Sequence, residues 1–597
     1  MGFFSKYWRR GSIMEVEFTS EQLDYVNSNI EEHIFLEACP GSGKTEVVAT
    51  KVAKEIDSWR KSPGGFAALS FANSAIDELT SRVSKHLPKG RGIFPHFLGT
   101  FDSFIYKNIV SPLSTELTGY AGEGGDATIR IIEPTAHMGY RTKYSYAKRG
   151  QVKAHHYSFD LIKGCVVFDS GDSILNRTLG SITLKDWQLD DLKVTKNKML
   201  NGGFATYRDI ECLAIKAITE KKYDHFVCLL VERYPLIIID ECQDLSEEQL
   251  AILQVLADKG TKLHFIGDLH QAIYGFRDVE PAKVKQFVED NNFTKLQLTR
   301  NFRSCQNIVS LCAELTGRTG IVGNVSWLEP RCIVIQYNNC PTELTDTLEG
   351  RCDGFSNNVV VSRGHSTLRK FQTSVTEPNN IQKLALAVKL FSPKDMEALN
   401  QSLQYFSEFL RFHLKESYKP NSFNSPQSIS SNLSWRKFLY ESLNYLICNN
   451  LQNIDIKWSD WTKTAKALIR GLPKQSFCPE DISSILAPLE LVNLTSPSGS
   501  AKLDVALSLG ATTPILSCKK TTIHGAKGET HDVTIVVSSA SAGNDSHWRS
   551  WLKDPDSEAA RFAYVASSRP KELLIWAVKT LNPPERKQLE AIGFTII

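Results

Sequence analysis

The chain opens with short apolar runs separated by amphipathic stretches. His33–Ala38 (HIFLEA) predicts a strand; after a Gly-rich turn, KTEVVATKVAKEI carries apolar residues at helical spacing. Phe66–Phe71 (FAALSF) predicts a second strand, and ANSAIDELTSRV the helix that follows it. Leu236–Ile239 is a β-branched run ending in acids, and Lys262–Ile266 repeats the pattern before Gly267-Asp268. Runs that stay apolar, rather than alternating, imply strands buried on both faces, hence a parallel sheet between two layers of helices. The same character returns at Val533–Val537 and Leu573–Val578.

Two segments interrupt this rhythm. From about Val110 to Asn201 the chain holds polar loops such as GYAGEGGDAT. From about Gln382 to Ser500 it reads as helical: Met396, Leu399, Leu403, Phe406, Leu410 and Leu414 recur every three to four residues, as do Trp435, Phe438, Leu439, Leu443 and Leu446. The simplest account is an α/β fold of two parallel-sheet cores, each carrying a mostly helical insertion. The first core is expected over 14–110 and 201–290, with its insertion at 111–200. The second is expected over 291–380 and 501–597, with its insertion at 381–500.

Composition narrows the function classes. Of 597 residues 42% are apolar and 23% charged, which excludes a mainly disordered or collagen-like chain. Lys plus Arg number 69 and Asp plus Glu 66, a net charge of +3, so any polyanion site must be local. Such a site is visible. Pro134–Phe159 contains no acid and holds Arg141, Lys143, Lys148, Arg149 and Lys153 among Tyr140, Tyr144, Tyr146 and Tyr157. Basic residues interleaved with aromatics suit backbone neutralisation plus base stacking; the alternative is a solvated β-hairpin. There is no membrane-spanning run, the start MGFFSKYWRRGS is the reverse of a secretory signal, and Met14 is expected to open the globular part. Thirteen cysteines without a C-x-x-C pair read as reduced core residues of a cytoplasmic protein.

The turn after the first strand is Ala38-Cys39-Pro40-Gly41-Ser42-Gly43-Lys44-Thr45. Between a strand and a helix, this string predicts a phosphate loop whose backbone N–H groups cradle a nucleotide such as ATP. Lys44 would reach the terminal phosphates and the Thr45 hydroxyl would bind Mg²⁺. The second cluster, IIIDECQD at Ile237–Asp244, delivers Asp240 and Glu241 to a strand end. There Asp240 would hold the Mg²⁺ shell and Glu241 would orient or deprotonate the attacking water.

Further motifs, in order, resemble superfamily 1 helicases of the UvrD/Rep/PcrA type: FTSEQ, LSFANSAIDEL, GTFDSF, DECQD, IGDLHQAIYGFR, LTRNFRS, TIHGAKGET and RFAYVASSRPK. The resemblance spans roughly Phe18 to Ala577 and implies two RecA-like cores with ATP, Mg²⁺ and DNA as ligands. It implies that Gln22 reads adenine and Phe302 stacks on it. Gln271 and Arg303 would contact the γ-phosphate, and Arg569 would serve as an arginine finger. Phe71, Asn73, Phe101, Tyr274, Phe276 and His524 stand at DNA-contact positions, joined by Arg141 and Lys143 of the basic stretch. Gly528 and Glu529 fall in the nucleotide-coupling element, where Lys527-Gly528-Glu529-Thr530 departs from the usual Lys-Gly-Leu-Glu, so Glu529 is expected to be displaced. Asp102 replaces a common His, and Ser74 a common Lys.

The resemblance implies a DNA-dependent ATPase moving 3′ to 5′. Within the family, GTFDSFIYKNIVSP and LTRNFRSCQNI look most like the helicase-like subunit of Gabija anti-phage systems, which implies a separate OLD-type nuclease partner. The competing function is a DNA-end-sensing ATPase that regulates a partner nuclease without processive unwinding.

Overall fold

The structure is a computed structural model. It describes residues 17–597 except 123, 125, 149, 274, 276–278, 326–330, 372–377, 415, 420–422, 430, 454–455, 497–515 and 541–543. The expectations for Arg149, Tyr274 and Phe276 therefore lie outside the described residues.

The first core is a six-stranded parallel sheet of β1 (Ile34–Ala38), β2 (Ala67–Ser70), β3 (Phe97–Thr100), β4 (Leu236–Asp240), β5 (Lys262–Gly267) and β6 (Thr294–Leu298), in the order β6-β1-β5-β4-β2-β3. Both faces are dry over the inner strands β1, β2, β4 and β5, which is why those are mostly apolar. Phe35, Ile237, Ile239, Leu263 and Phe265 point to one hydrophobic cluster; Ile34, Leu36, Leu236, Ile238 and Ile266 point to another. At about 1.5–3 kcal/mol per fully buried aliphatic side chain, these two layers dominate the favourable term. One expected boundary is corrected. β6 pairs along β1, from Ile34↔Thr294 to Ala38↔Leu298, so the first core runs past residue 290. Its TKLQL sequence is half polar because it is an edge strand, with Leu298 buried and Thr294, Lys295 and Gln297 exposed.

The second core is also a six-stranded parallel sheet: β7 (Cys332–Tyr337), β8 (Asn358–Ser362), β9 (Lys519–Thr522), β10 (His531–Val537), β11 (Pro570–Lys579) and β12 (Thr595–Ile596), in the order β9-β8-β10-β11-β7-β12. These are two RecA-like cores. In parallel sheets the carboxyl ends of all strands share one edge, where ligands bind. The register Asp240↔Ile266 and Glu37↔Gly267 sets the ends of β4, β5 and β1 side by side at that edge.

The first insertion is less helical than expected. Strands Arg141–Ser145 and Gln151–Lys153 form one antiparallel hairpin, Tyr157–Asp160 and Cys165–Phe168 another, beside helices Ser173–Gly180 and Asp186–Asn201. Tyr146, Val152, Tyr157, Phe168, Leu179 and Leu192 make its small core.

Residues Arg369–Ser517 form a separate compact unit. Its helices include Asn380–Leu390, Met396–His413, Asn432–Cys448 and Trp458–Gly471, which meet around Phe406, Phe409, Trp435, Phe438, Trp458 and Trp461.

All thirteen cysteines are free thiols. The core reading fails for Cys165, Cys228 and Cys448, which are exposed. Among the described residues no helix is long and apolar enough to cross a membrane.

Candidate nucleotide and nucleic-acid sites

The loop after β1 turns on two glycines in the left-handed region, Gly41 at φ 70° and Gly43 at φ 76°, and Gly43 feeds the helix Lys44–Ser58. Gly41 is also a point of close approach. A Cβ there would sit 2.6 Å from the Arg303 Cβ and 2.8 Å from the Asn301 Oδ1. The Phe302 N–H donates to the Gly41 carbonyl at 2.9 Å, so the strand Arg300–Cys305 rests directly on the loop. The first N–H groups of the following helix have no intrahelical partners and face the same space.

Lys44 Nζ donates to Asp240 Oδ1 at 2.7 Å and also to Glu241. Burial opposes its charge, but the two carboxylates outweigh burial and hold its pKa above the ordinary value. Burial likewise works against ionised Glu241, yet Lys44 and then Lys527 bring its pKa below the usual range. Glu241 has φ 61°, a left-handed conformation unusual for a residue with a side chain and costly to hold.

A continuous hydrogen-bonded path then crosses from one core to the other. Gln243 donates to Glu241, and the Asp268 N–H donates to Gln243 Oε1 at 3.2 Å. Gln271 Nε2 donates to Asp268 Oδ2 at 2.9 Å, and Arg569 Nη2 donates to Gln271 Oε1 at 3.0 Å. Asp268 is 2% exposed and so needs several hydrogen-bond donors there; Arg318 Nη1 at 3.1 Å and the Tyr564 hydroxyl at 3.0 Å supply them. Arg303 Nη1 donates to the Ser568 carbonyl at 3.1 Å. Burial, and then the neighbouring Arg569, push the Arg303 pKa down to about 9. Two guanidiniums so placed await an anion.

These groups surround one cavity of about 720 Å³. From the first core it is lined by Ala38–Glu46, Asp240, Glu241, Asp244, Asp268 and Gln271; Arg303, Lys527, Gly528, Thr530 and Arg569 close its other side. The hydroxyls of Ser42 and of Ser70, which also lines the cavity, and Asp244 Oδ1 are buried without a hydrogen-bond partner among the described residues. Such orphaned polar atoms fit a polar ligand that supplies their bonds. The Thr45 hydroxyl and the Asp240 carboxylate are hard oxygen donors suited to Mg²⁺, which keeps most of its shell for water and phosphate. No cluster of three or more acidic, His or Cys ligands occurs among the described residues.

Not every expected residue reaches the cavity. Gln22 is 5% exposed; its Oε1 accepts from the Thr19 N–H and its Nε2 donates to the Ser42 carbonyl, both at 2.9 Å, so it braces the loop. Phe302 is 48% exposed, with the Arg300 guanidinium 5.7 Å from its ring. Glu529 is turned away, ion-paired to Lys519 at 2.7 Å and bonded to His531 at 3.0 Å; Thr530 lines the cavity instead. The shortened spacing after Gly528 accounts for this.

Of the expected DNA contacts, Asn73 is exposed at a helix start and Phe71 is partly buried. Phe101 is 1% exposed and lies parallel to Phe71 at 6.3 Å, so it backs that ring and presents no face of its own. His524 Nε2 donates to the Ile273 carbonyl at 3.0 Å, fixing the residue before Tyr274. Arg141 and Lys143 are exposed on the first-insertion hairpin. Lys527, Tyr564 and Gln243 also belong to the site, and each lies within a quoted motif at a position to which the resemblance assigns no role. Arg318 sits in no motif.

The UvrD/REP helicase N-terminal domain matches residues 18–121 and 181–292, the stretches that build β1–β5 and part of the first insertion. DNA helicase II of Haemophilus influenzae is 23% identical over 324 residues, 52% of this chain and 42% of that protein. Over the stretches that the family model matches, rather more than a third of its length, the chain is similar to the UvrD/REP helicases. Two other similar proteins are a probable DNA helicase II homolog of Mycoplasma capricolum, 24% identical over 47% of this chain and 38% of its own length, and the Gabija protein GajB of Bacillus cereus, 25% identical over 46% and 45%. The chain thus spans less than half the length of each of these three relatives.

Proposed function

We propose that this chain is a cytoplasmic, single-stranded-DNA-dependent ATPase that translocates 3′ to 5′ by opening and closing its two cores. The observation that carries the reading is the hydrogen-bonded path from Lys44 through Glu241, Gln243, Asp268 and Gln271 to Arg569 around one cavity. Lys44 now occupies Asp240 and Glu241. When ATP enters, it turns to the terminal phosphates and frees both carboxylates. Asp240 and Thr45 would hold Mg²⁺, which when bound would supply positive charge for phosphoryl transfer. Glu241 orients the attacking water and accepts its proton. Arg303 and Arg569 approach from the second core and neutralise charge that develops on the γ-phosphate, so hydrolysis removes what holds the cores together. Single-stranded DNA passes Phe71 and Asn73 and the basic face of the first insertion.

The test is ATP turnover with and without a single-stranded oligonucleotide. Turnover should rise with DNA and vanish in Lys44→Ala and Glu241→Gln; DNA-independent turnover, or activity in either variant, overturns the reading.

The likeness to a Gabija protein favours a second reading, an ATPase that senses DNA ends and governs a separate nuclease. Unwinding of a 3′-tailed duplex by the isolated chain supports the motor. Stable association with a nuclease and no unwinding supports the sensor.

A further inference from the structure

The acid-free stretch divides its tyrosines between two jobs. Tyr146 and Tyr157 are buried in the small core of the first insertion, whereas Tyr144 is 42% exposed. What turns Tyr144 outward is Asp191, a buried carboxylate on the helix Asp186–Asn201. It accepts from the N–H groups of Lys143 at 2.9 Å and Tyr144 at 3.1 Å, and from the Tyr146 hydroxyl at 3.2 Å. A buried carboxylate needs such donors, so this docking is well determined. Trp187 lies one helical turn before Asp191, on the same face. The hairpin therefore brings Tyr144 against Trp187 with ring centroids 4.7 Å apart at 74°, and Trp187 is itself 47% exposed. Two large rings in edge-to-face contact, both open to solvent, are an apolar surface the first insertion does not use for its own core.

Charge selects what covers that surface. Arg141, Lys143 and Lys148 are exposed on the hairpin, and Lys143 Nζ is 5.4 Å from the Tyr144 ring. On the helix side Asp186 and Asp190, also exposed, flank Trp187. An anionic backbone would run along the hairpin and avoid the helix, leaving flat groups to lie over the rings.

We propose that Tyr144 and Trp187 form a stacking platform for the bases of single-stranded nucleic acid, with its phosphates on Arg141, Lys143 and Lys148. Bases within a duplex offer no free faces, so the ligand is a single strand. The proposal rests on the reading of the chain as a single-strand-dependent ATPase and names a site for that ligand outside the two cores.

The experiment uses the full chain and a fluorescein-labelled oligothymidylate, titrated at several salt concentrations. Trp187→Ala and Tyr144→Ala should each weaken binding by about 5- to 100-fold, the range expected for losing one stacked base, with the salt slope unchanged. Trp187→Phe should retain most of the affinity. Arg141→Glu, Lys143→Glu and Lys148→Glu should instead flatten the salt slope. If wild type binds the oligonucleotide and both alanine variants bind equally well, the platform is refuted while the ATPase reading stands. Equal loss in Trp187→Phe and Trp187→Ala also refutes stacking. If wild type binds no oligonucleotide, the underlying reading falls with it. Competition by polyglutamate that depends on Trp187 would reassign the face to an acidic protein.

Discussion

Lys527 of the second core donates to Asp244 of the first at 2.6 Å, an ion pair between residues 283 positions apart in sequence. Both side chains are largely buried, at 11% and 6% exposure, and both line the nucleotide cavity. Burial, helped by Glu241, raises the Asp244 pKa to about 6 in spite of Lys527 and, to a lesser extent, Lys44, so the carboxylate depends chiefly on Lys527. Removing one partner of a buried pair typically costs about 3–5 kcal/mol, because the other charge is left uncompensated. Lys527→Ala should therefore lower the unfolding temperature markedly. Adding Asp244→Asn should recover most of that loss, yet ATP turnover should stay low in both, since this ion pair then no longer ties the cores at the cavity. Calorimetry and turnover in a double-mutant cycle decide it; a double variant no more stable than Lys527→Ala would sink the argument.

Arg569 is the residue whose charge the reaction should feel most. It is 2% exposed and held by the Val565 carbonyl, the Ser568 hydroxyl and Gln271, with burial lowering its pKa. Arg569→Ala should reduce turnover by about 10³-fold or more, while nucleotide affinity changes little. Arg569→Lys should not restore the rate, because a compact ammonium cannot place its donors where the planar guanidinium fork places them. Single-turnover hydrolysis beside equilibrium nucleotide binding separates the two effects.

Gly41 meets Arg303 and Asn301 across the loop. Gly41→Ala places a methyl where those atoms stand and strains a φ of 70°. Nucleotide affinity should fall at least tenfold, and at Gly90, with φ 83° but nothing within 4 Å, the same change should leave it unaltered. Equal affinities of Gly41→Ala and wild type would show that the strand Arg300–Cys305 does not rest on the loop in solution.

Much of this site was legible because its chemistry is local. The string Ala38–Thr45 needs two glycines, a lysine and a hydroxyl in fixed succession, and Asp240-Glu241 must end an apolar strand. Both leave signatures independent of what surrounds them. Strands β7 (CIVIQY) and β8 (NVVVS) are equally plain apolar runs, but they carry no motif that sets them apart from any other buried strand. Residues that work by meeting a distant partner left less trace. Arg318 acts only because Asp268 and Tyr564 converge on it, 50 and 246 positions away. Phe101 and Phe71 look alike in sequence, and only packing decides that one is core and the other half open. The basic stretch was read as a mixture of charges and tyrosines; the docking by Asp191 is what sorts its rings into inner and outer, and Trp187 lay outside the stretch altogether.

Phe302 should matter for binding and not for the chemical step. Its ring is 48% exposed beside the phosphate loop, where an adenine could lie on it. Phe302→Ala should raise the apparent KM for ATP about tenfold with kcat nearly unchanged, and Phe302→Tyr should restore it. A fall in kcat at unchanged KM would contradict a stacking role.

Glu211, on the helix Tyr207–Thr219, gives the chain a pH dependence of defined sign. Burial, followed by Asp102 and Glu248, pushes its carboxyl up to about 8 from an ordinary 4.5. Between those values the folded protein keeps a proton that the unfolded chain has lost. Stability must therefore fall as pH rises from 4.5 to 8 and level off above. Gln249 Nε2 donates to Glu211 Oε1 at 2.9 Å, a bond that an amide oxygen accepts equally well. Glu211→Gln should match the wild type in unfolding temperature near pH 4.5 and exceed it by a gap that widens steadily to pH 8. Unfolding curves for the two proteins across that range are the measurement. Parallel profiles would mean that Glu211 ionises freely, and that the acidic neighbours Asp102 and Glu248 are too well hydrated to feel it.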